Sequence, residues 1–466
     1  MTADHFEALY TAAEMRAAEE AYPGYPASIP ELMERAGTAV AEEALRAYPD
    51  ARSFACVCGG GSNGGDGRVA ARVLREAGRE ATETTDDLDG HDVVVDALFG
   101  TGFHGEPRTE AAELIGRINA ASVPVVSVDL PSGVDASTGE VAGAVVDADL
   151  TVTFHASKVG LVVSPGRQHA GRVVVSDIGL GDAPTAIRRA RPSLVDEVPR
   201  RRAGDTKYSA GSVLVVGGQP GMTSAACLAA MAALRADAGY VTLAVPQESL
   251  PAAEALALEP VKLAWTDGDA VETLTAAAKR ARALAIGPGL GRSDARRELV
   301  RDVLERVDLP AVVDADGLFG LEPLDRRAQT VLTPHAGELA RLLDRDADWV
   351  NAHRLEAARM CSERFHVTVL LKGGDTIVCS PGAGEIVCDY GPPSLATAGT
   401  GDVLTGVVAS FLSKGLDAST AASAAAVAHG VAARLAAHAP GLVASDLLAL
   451  LPAALDGTTP GAAQIR

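Results

Sequence analysis

Short apolar runs, each ending at glycine or aspartate and each followed by a helical stripe, recur along the whole chain, and this repetition constrains the fold most. Phe54–Cys58 runs into GGGSNGGDG (Gly59–Gly67), Asp92–Val95 into DALFGTGFHGEPR (Asp96–Arg108), and Val123–Val128 into DLPSGVDASTG (Asp129–Gly139). Further on, Ser212–Val216 leads to Gly217-Gly218, Ala283–Ile286 to GPGLG (Gly287–Gly291), Ala311–Val313 to DADGL (Asp314–Leu318), Val331–Thr333 to PHAGE (Pro334–Glu338) and Val367–Leu371 to KGGDT (Lys372–Thr376). Strands alternating with helices build a mostly parallel sheet covered on both faces, and such a sheet opens its ligand crevice at the carboxyl ends of its strands. The first three turns should therefore line up Asn63, Asp66, Asp96, Asp129 and Ser132 along one edge. Thr151–Phe154 and Val173–Ser176 read as further strands, with Lys158 between them.

A chain of 466 residues is too long for one ordinary core. Residues 181–204 lack periodicity and mix proline with clustered arginine, as a connector does, so the domains are expected at 1–190 and 191–466. Residues 1–50 read as helical, and Ser28-Ile29-Pro30-Glu31 fits a capping box. Hydrophobic residues reach 47% but aromatics only 4%, which favours closely packed α/β layers over a β-sandwich. The net charge of −20, without a cationic excess in either half, argues against nucleic acid as a partner. The absence of a long apolar run or an apolar leader leads to the expectation of a soluble, cytoplasmic protein with no membrane partner. Six cysteines without a Cys-x-x-Cys pair make neither a disulfide framework nor a zinc site, and Cys56 and Cys58, within an apolar run, are expected as core thiols in a reducing compartment.

The stretch SLATAGTGDVLTG (Ser394–Gly406) carries the clearest chemistry. Gly399 and Gly401 let the backbone turn amides toward one point, and Val403, Leu404, Val407, Val408, Phe411 and Leu412 continue as a buried helix. A glycine turn at a helix N-terminus attracts a phosphoryl group. Asp402 on that rim would repel the same group, so it is placed to accept a proton from a hydroxyl meeting the phosphate. KGGDT is a second anion-binding element, whereas no GxxxxGK[ST] cradle exists. Glu338 is read either as a water-mediated magnesium ligand or as a first-turn helix carboxylate. His335 is read either as a substrate contact or as a satisfier of loop groups, and Asp314 and Asp316 as strand-face partners or helix caps.

SNGGDG, DALFGTG and DLPSGVD resemble the NAD(P)HX epimerase domain. GPGLG, TPHAGE, LKGGDT and AGTGDVLTG resemble the NAD(P)HX dehydratase of the ribokinase-like superfamily. Their order is similar to that of the fused, bifunctional family. The resemblance implies two three-layer α/β/α domains, Rossmann-like then ribokinase-like, acting on the hydrates of NADH and NADPH (NADHX and NADPHX), which carry a hydroxyl beside the ring nitrogen.

In the first domain the resemblance implies potassium at Asn63, Asp96 and Ser132. It puts the hydrate on Ser62, Asn63, Gly64, Gly65, Asp66, Gly100, Thr101, Gly102, Phe103, His104, Gly105, Glu106 and Asp129, with Asp129 and Lys158 as catalytic groups. Many members have Asn where this chain has Ser62. In the second domain it implies a nucleotide on Lys372, Gly373, Gly374, Asp375, Thr376 and Gly401. The hydrate would sit near Ala225, Gly289, His335 and Asp402, with Asp402 catalytic. ADP, giving AMP and phosphate, is the implied phosphate donor and ATP the alternative, with magnesium as cofactor and a homo-oligomer as the assembly. The rival readings are a ribokinase-like small-molecule kinase with a regulatory N-terminal domain and a non-catalytic nucleotide-binding module.

Overall fold

The computed structural model describes residues 5–457. The chain forms two compact units: Ala8–Ile187 with Asn351–His353, and Arg188–Val350 with the chain from Arg354 on and the first residues through Glu7.

In the N-terminal unit the sheet order is Glu80–Glu83, Ser53–Cys58, Val93–Ala97, Val125–Val128, Leu150–Phe154 and Arg172–Ser176, and every adjacent pair is parallel. The strand order reverses between Ser53–Cys58 and Val93–Ala97, so the turns leaving these strands diverge and a crevice opens between them. Alternate side chains go to opposite faces. Ala55, Val57, Val94 and Val125 pack with Leu114, Ile115 and Ile118, while Phe54, Cys56, Val95, Val126 and Val152 pack with Val40, Ala41, Ala70 and Leu74. Burying each such aliphatic side chain stabilises the layers by about 1.5–3 kcal/mol.

The larger unit's sheet has eleven strands. It begins with Phe6–Leu9 and Ile187–Ala190, the strands in which the chain passes between units, and continues through Ile386–Cys388, Thr376–Cys379, Thr368–Leu371, Thr330–Leu332, Ala311–Val313, Ala283–Ile286, Ser212–Val216, Tyr240–Pro246 and Val261–Trp265. From Thr368–Leu371 to Val261–Trp265 all pairs are parallel, and Thr376–Cys379 runs against both of its neighbours. The helix Thr400–Ser413 is buried almost throughout beside the alanine-rich helices Thr223–Arg235 and Ala418–Arg434. A methyl on Gly406 would stand 2.1 Å from the Ala229 carbonyl oxygen, so this close packing depends on small residues rather than aromatics.

Four expectations need correction. Phe6–Leu9 is a strand, not helix, with its two ends buried; residues 1–4 lie outside the described residues. Ser28 forms no capping box: its backbone is already helical and its hydroxyl has no partner. The connector contains the strand Ile187–Ala190, which buries Ile187 and Ala190 and directs Arg189 to Asp389 at 2.7 Å. The helix after the first glycine turn begins at Ser62, so SNGGDG forms its opening turns instead of preceding it. All six cysteines are free, and among the described residues no helix is long and apolar enough to cross a membrane.

Candidate active sites

The crevice of the N-terminal unit is a cavity of about 770 Å³. Ser62, Asn63, Asp66, Gly100, Thr101, Gly102, Phe103, His104 and Asp129 line it. Gly64, Gly65, Gly105 and Glu106 do not. A methyl on Gly64 would stand 1.9 Å from the Gly59 carbonyl oxygen, and one on Gly65 2.5 Å from the Met33 methyl, so these glycines let the helix close on its neighbours. Phe99 stacks on Phe103 at 4.8 Å, giving the wall a flat aromatic pair.

Asp129 follows the strand Val125–Val128 in a three-residue turn closed by Leu130 N–H to Val128 O at 2.8 Å, with φ +67. His155 ends the neighbouring strand in the same way, with φ +66 and Ala156 N–H to Phe154 O at 2.8 Å. Such turns hold about 1–3 kcal/mol of backbone strain, which surrounding contacts must offset. The offset at Asp129 is visible. Lys158, fully buried, reaches its Oδ1 at 2.7 Å, and the Thr153 hydroxyl donates to the same oxygen at 3.0 Å. Lys158 also donates to Thr153 Oγ1 and to the Phe154 carbonyl, so its ammonium is fixed on all sides.

Behind the cavity, Asp96 is wholly buried in the strand Val93–Ala97. The Ser132 hydroxyl donates to it at 2.6 Å, the Ser127 hydroxyl and the Ser132 N–H at 2.9 Å, and the Leu98 N–H at 3.3 Å. Burial nonetheless raises its pKa against those donors, and no basic side chain pairs with it among the described residues. Nearby in the chain, a methyl on Gly100 would stand 2.8 Å from Asn63 Oδ1, and Asn63 Nδ2 is buried without a partner. One uncompensated buried negative charge beside hydroxyl, carboxamide and carbonyl oxygens suits a hard, singly charged cation, so the potassium set Asn63, Asp96 and Ser132 fits. Ser127 and Thr153 were missed in the sequence, where their only signal is a polar side chain within an otherwise apolar strand.

In the second unit the turns after five parallel strands share one edge. Lys372 and the Gly399–Asp402 turn meet: a methyl on Gly401 would stand 3.4 Å from Lys372 Nζ. Gly399 begins the helix at φ +89, and the Thr400 hydroxyl ties the preceding loop by donating to the Leu395 and Thr397 carbonyls at 2.8 Å. Gly401 and Asp402 are partly exposed, so the amide ring is open to a ligand. Asp402 is pushed up to about 7 by burial first and by Asp314, with Lys372 pulling the other way and Asp316 and Glu338 adding to the rise.

Lys372 Nζ sits 2.7 Å from Asp314, whose other oxygen accepts from the Thr405 hydroxyl at 2.6 Å. Burial disfavours the Lys372 charge, yet the Asp314 and Glu338 carboxylates outweigh it and raise its pKa. Asp316 turns elsewhere, to Arg292 at 2.7 Å and the Gly291 N–H at 2.9 Å, so the two aspartates neither share a face nor cap with their side chains. Glu338 is the first-turn carboxylate: it accepts from the His335 N–H at 2.9 Å, while His335 Nδ1 accepts from Gly337 N–H at 3.0 Å. One Glu338 oxygen is thus engaged in the first turn of its helix, and no group of three or more His, Cys, Asp or Glu side chains that could hold a metal occurs among the described residues.

Asp375 is turned inward onto Arg354 at 3.0 Å, and Arg354 also donates to the Lys372 and Asp375 carbonyls. Its carboxylate thus shapes the KGGDT turn. Arg354 and Thr405 carry no signal in the sequence that sets them apart from ordinary helix residues. Ala225 and Gly289 adjoin, with a methyl on Gly289 only 3.2 Å from Ala225 Cβ.

Comparison with known proteins agrees with both units. Residues 213–453 match the family model described as NAD(P)H-hydrate dehydratase, and residues 30–85 and 77–160 match that of the YjeF-related protein N-terminus. The chain is 38% identical over 484 residues to a bifunctional NAD(P)H-hydrate repair enzyme of Moorella thermoacetica, covering 90% of this chain and 91% of the relative. Among solved structures, the ADP/ATP-dependent NAD(P)H-hydrate dehydratase of Bacillus subtilis, co-crystallised with ATP and Mg2+, aligns with 56% of this chain and 95% of its own at TM-score 0.52 and 28% identity. A ribokinase-like superfamily protein of Enterococcus faecalis shares the fold, with TM-score 0.53, 21% identity, and 59% of this chain and 98% of its own covered.

Proposed function

The chain belongs to the family of bifunctional NAD(P)H-hydrate repair enzymes, and from that premise we propose that its N-terminal unit exchanges the R and S hydrates of NADH and NADPH while the larger unit dehydrates the S form. The observation that carries the second half is the meeting of Lys372, the Gly399–Asp402 amides and Asp402 at one strand edge.

Hydroxide is a poor leaving group, so dehydration needs an activated oxygen. Asp402 takes the proton of the ring hydroxyl, and the freed oxygen accepts the terminal phosphoryl group of a nucleotide on the Lys372–Thr376 turn. The amides of Gly399–Asp402 and the Lys372 ammonium hold the moving charge, a contribution of several kcal/mol in comparable anion holes. Phosphate then departs with the C–O electron pair and the neighbouring ring carbon gives up a proton, restoring the dihydronicotinamide. ADP as donor, giving AMP, is our reading, and ATP is the alternative that the same site accommodates. Magnesium accompanies the nucleotide's phosphates, and no step is assigned to Glu338 through it.

In the N-terminal unit, Asp129 held by Lys158 is the acid/base that changes the configuration at the hydroxyl-bearing carbon. Potassium on Asn63, Asp96 and Ser132 would supply the positive charge that Asp96 lacks and offset the pyrophosphate. The free thiols support a reducing, cytoplasmic setting. Self-association, the expected assembly, is read from the mass of the whole chain in solution.

The test is to incubate the chain with mixed NADHX epimers, magnesium and ADP or ATP, and to follow the absorbance of restored NADH. Complete recovery of both epimers is expected, and none without nucleotide. Asp402→Asn should abolish recovery and leave epimer exchange intact. Recovery of only the S fraction would remove the epimerase half, and normal dehydration by Asp402→Asn would remove that residue's role.

A further inference from the structure

The N-terminal cavity contains more acid than the roles assigned so far employ. Glu19, from the helix Ala12–Glu20, and Asp66, from the opening turns of Ser62–Glu76, both line it. Neither carboxyl has a hydrogen-bond or ion-pair partner among the described residues, whereas Asp129 is bound to Lys158 and Thr153. Arg16, Glu20, Tyr25 and His104 are the other ionisable groups on the wall besides Asp129, and Lys158 behind it is already committed to Asp129, Thr153 and Phe154 O. Carboxyls that stand in the wall with no cation bonded to them favour positive charge on the ring beside them.

Resting on the epimerase reading of this unit, the geometry points to Asp66 as a second catalytic group, the acid that protonates the departing ring hydroxyl while Asp129 takes a proton from the water that replaces it, with Glu19 as a positioning residue that keeps the proton on Asp66. As Asp66 gives its proton to the hydroxyl oxygen, the C–O bond breaks with its electron pair and water departs. The adjacent ring nitrogen's lone pair closes a C=N bond, leaving an iminium cation among the carboxylates. A water on the other face gives a proton to Asp129 and adds its oxygen pair to the carbon, and the nitrogen recovers its lone pair. Asp66 ends as carboxylate and Asp129 as acid, which is the arrangement the reverse exchange starts from. The proton returns between them through water in the cavity.

The electrostatics agree with this division of labour. Burial, then Asp129 and Glu19, push the Asp66 carboxyl up to about 8 against the pull of Lys158. Glu19 is itself raised by burial and by Asp129, with Lys158 and Arg16 opposing and Glu20 adding. Burial and two neighbouring carboxyls thus keep Asp66 an acid, while the Lys158 ammonium and the Thr153 hydroxyl bind Asp129.

The experiment uses the whole chain and NADHX enriched in one epimer, without nucleotide and in ¹⁸O-labelled water, with the protein-free rate subtracted. Interconversion is followed by chromatography and label by mass. The wild type should incorporate one labelled oxygen per inversion. Asp66→Asn should slow exchange by at least about 100-fold, as loss of a placed acid does, and Asp66→Glu should restore part of it. Glu19→Gln should move the alkaline limb of the rate profile to lower pH, because a negative charge that holds the proton on Asp66 is gone. Nucleotide-dependent dehydration of the S epimer should persist in each variant, reporting an intact chain. Exchange by Asp66→Asn within about threefold of wild type, inversion without label, or an unmoved alkaline limb in Glu19→Gln would overturn the inference. A wild-type chain that exchanges no epimers would instead overturn the epimerase reading beneath it.

Discussion

Asp402 provides the sharpest test of the dehydratase site, because the environment that fits it for proton abstraction also sets the pH at which it works. An unperturbed aspartate titrates near ~3.9, and a base of that kind would give a flat dehydration rate from about pH 5 to 8. Here burial, with Asp314, Asp316 and Glu338 outweighing Lys372, lifts the group to about 7. Only the carboxylate accepts the hydroxyl proton, so activity must fall on the acid side. About nine-tenths is ionised at pH 8 and about one-tenth at pH 6, giving roughly a tenfold loss per unit further down. Removing the carboxylate with Asp402→Asn should lower kcat by about 10²–10⁴, or roughly 2.7–5.4 kcal/mol of transition-state stabilisation. The assay is restoration of NADH absorbance from S-NADHX at saturating nucleotide between pH 5 and 9. A nucleotide's terminal phosphate loses its last proton near ~6, so residual Asp402→Asn activity supplies the baseline to subtract. A wild-type profile flat down to pH 5, or one whose acid limb is identical in Asp402→Asn, would refute the assignment of the base.

Three further outcomes follow from the geometry. Arg354→Ala removes the buried ion pair to Asp375, which should destabilise the larger unit by about 3–5 kcal/mol in thermal unfolding read by the fluorescence of Trp265 and Trp349, and should raise KM for nucleotide more than for hydrate. Asp96→Asn removes the uncompensated buried charge, so epimer exchange that is faster in potassium than in sodium buffer for the wild type should become slower and indifferent to the cation. Asp66 has a folded-state pKa raised to about 8, so its contribution to stability is complete below the ordinary carboxylate range and is lost as pH climbs through that value. Asp66→Asn escapes the loss, and hydrogen exchange across Ser62–Glu76 should match the wild type near pH ~3.5 and be slower than it at pH 9.

The sequence revealed the sheets because each strand is a run of Val, Ala and Ile with a turn residue at its end, and period and punctuation are local signals. Ser212–Val216, Ala283–Ile286 and Ala311–Val313 fall where the apolar runs put them. Phe6–Leu9 and Ile187–Ala190 were not legible, because neither the edge strand carrying Glu7 nor its neighbour carrying Arg188 and Arg189 has an apolar run, and their places are fixed by pairing with distant segments. The same divide runs through the sites. Asp402, Asp129 and Lys372 stand beside glycines and could be found from neighbours in the chain. Glu19, Ser127, Thr153, Arg354 and Thr405 act on groups 21 to 110 positions away, and only folding brings them there.

The two units use carboxylates in one structural setting, the end of a parallel strand or the helix after it, and differ in where the neighbouring cation lies. In the larger unit Lys372 adjoins Gly401 and is drawn toward Asp314 and Glu338, so positive charge stands at the phosphate's side of Asp402. That suits a reaction in which negative charge moves from a nucleotide onto the substrate oxygen. In the N-terminal unit the only buried lysine lies behind Asp129, and Asp66 and Glu19 face the cavity without a cation bonded to either. That suits a reaction in which the ring itself turns positive.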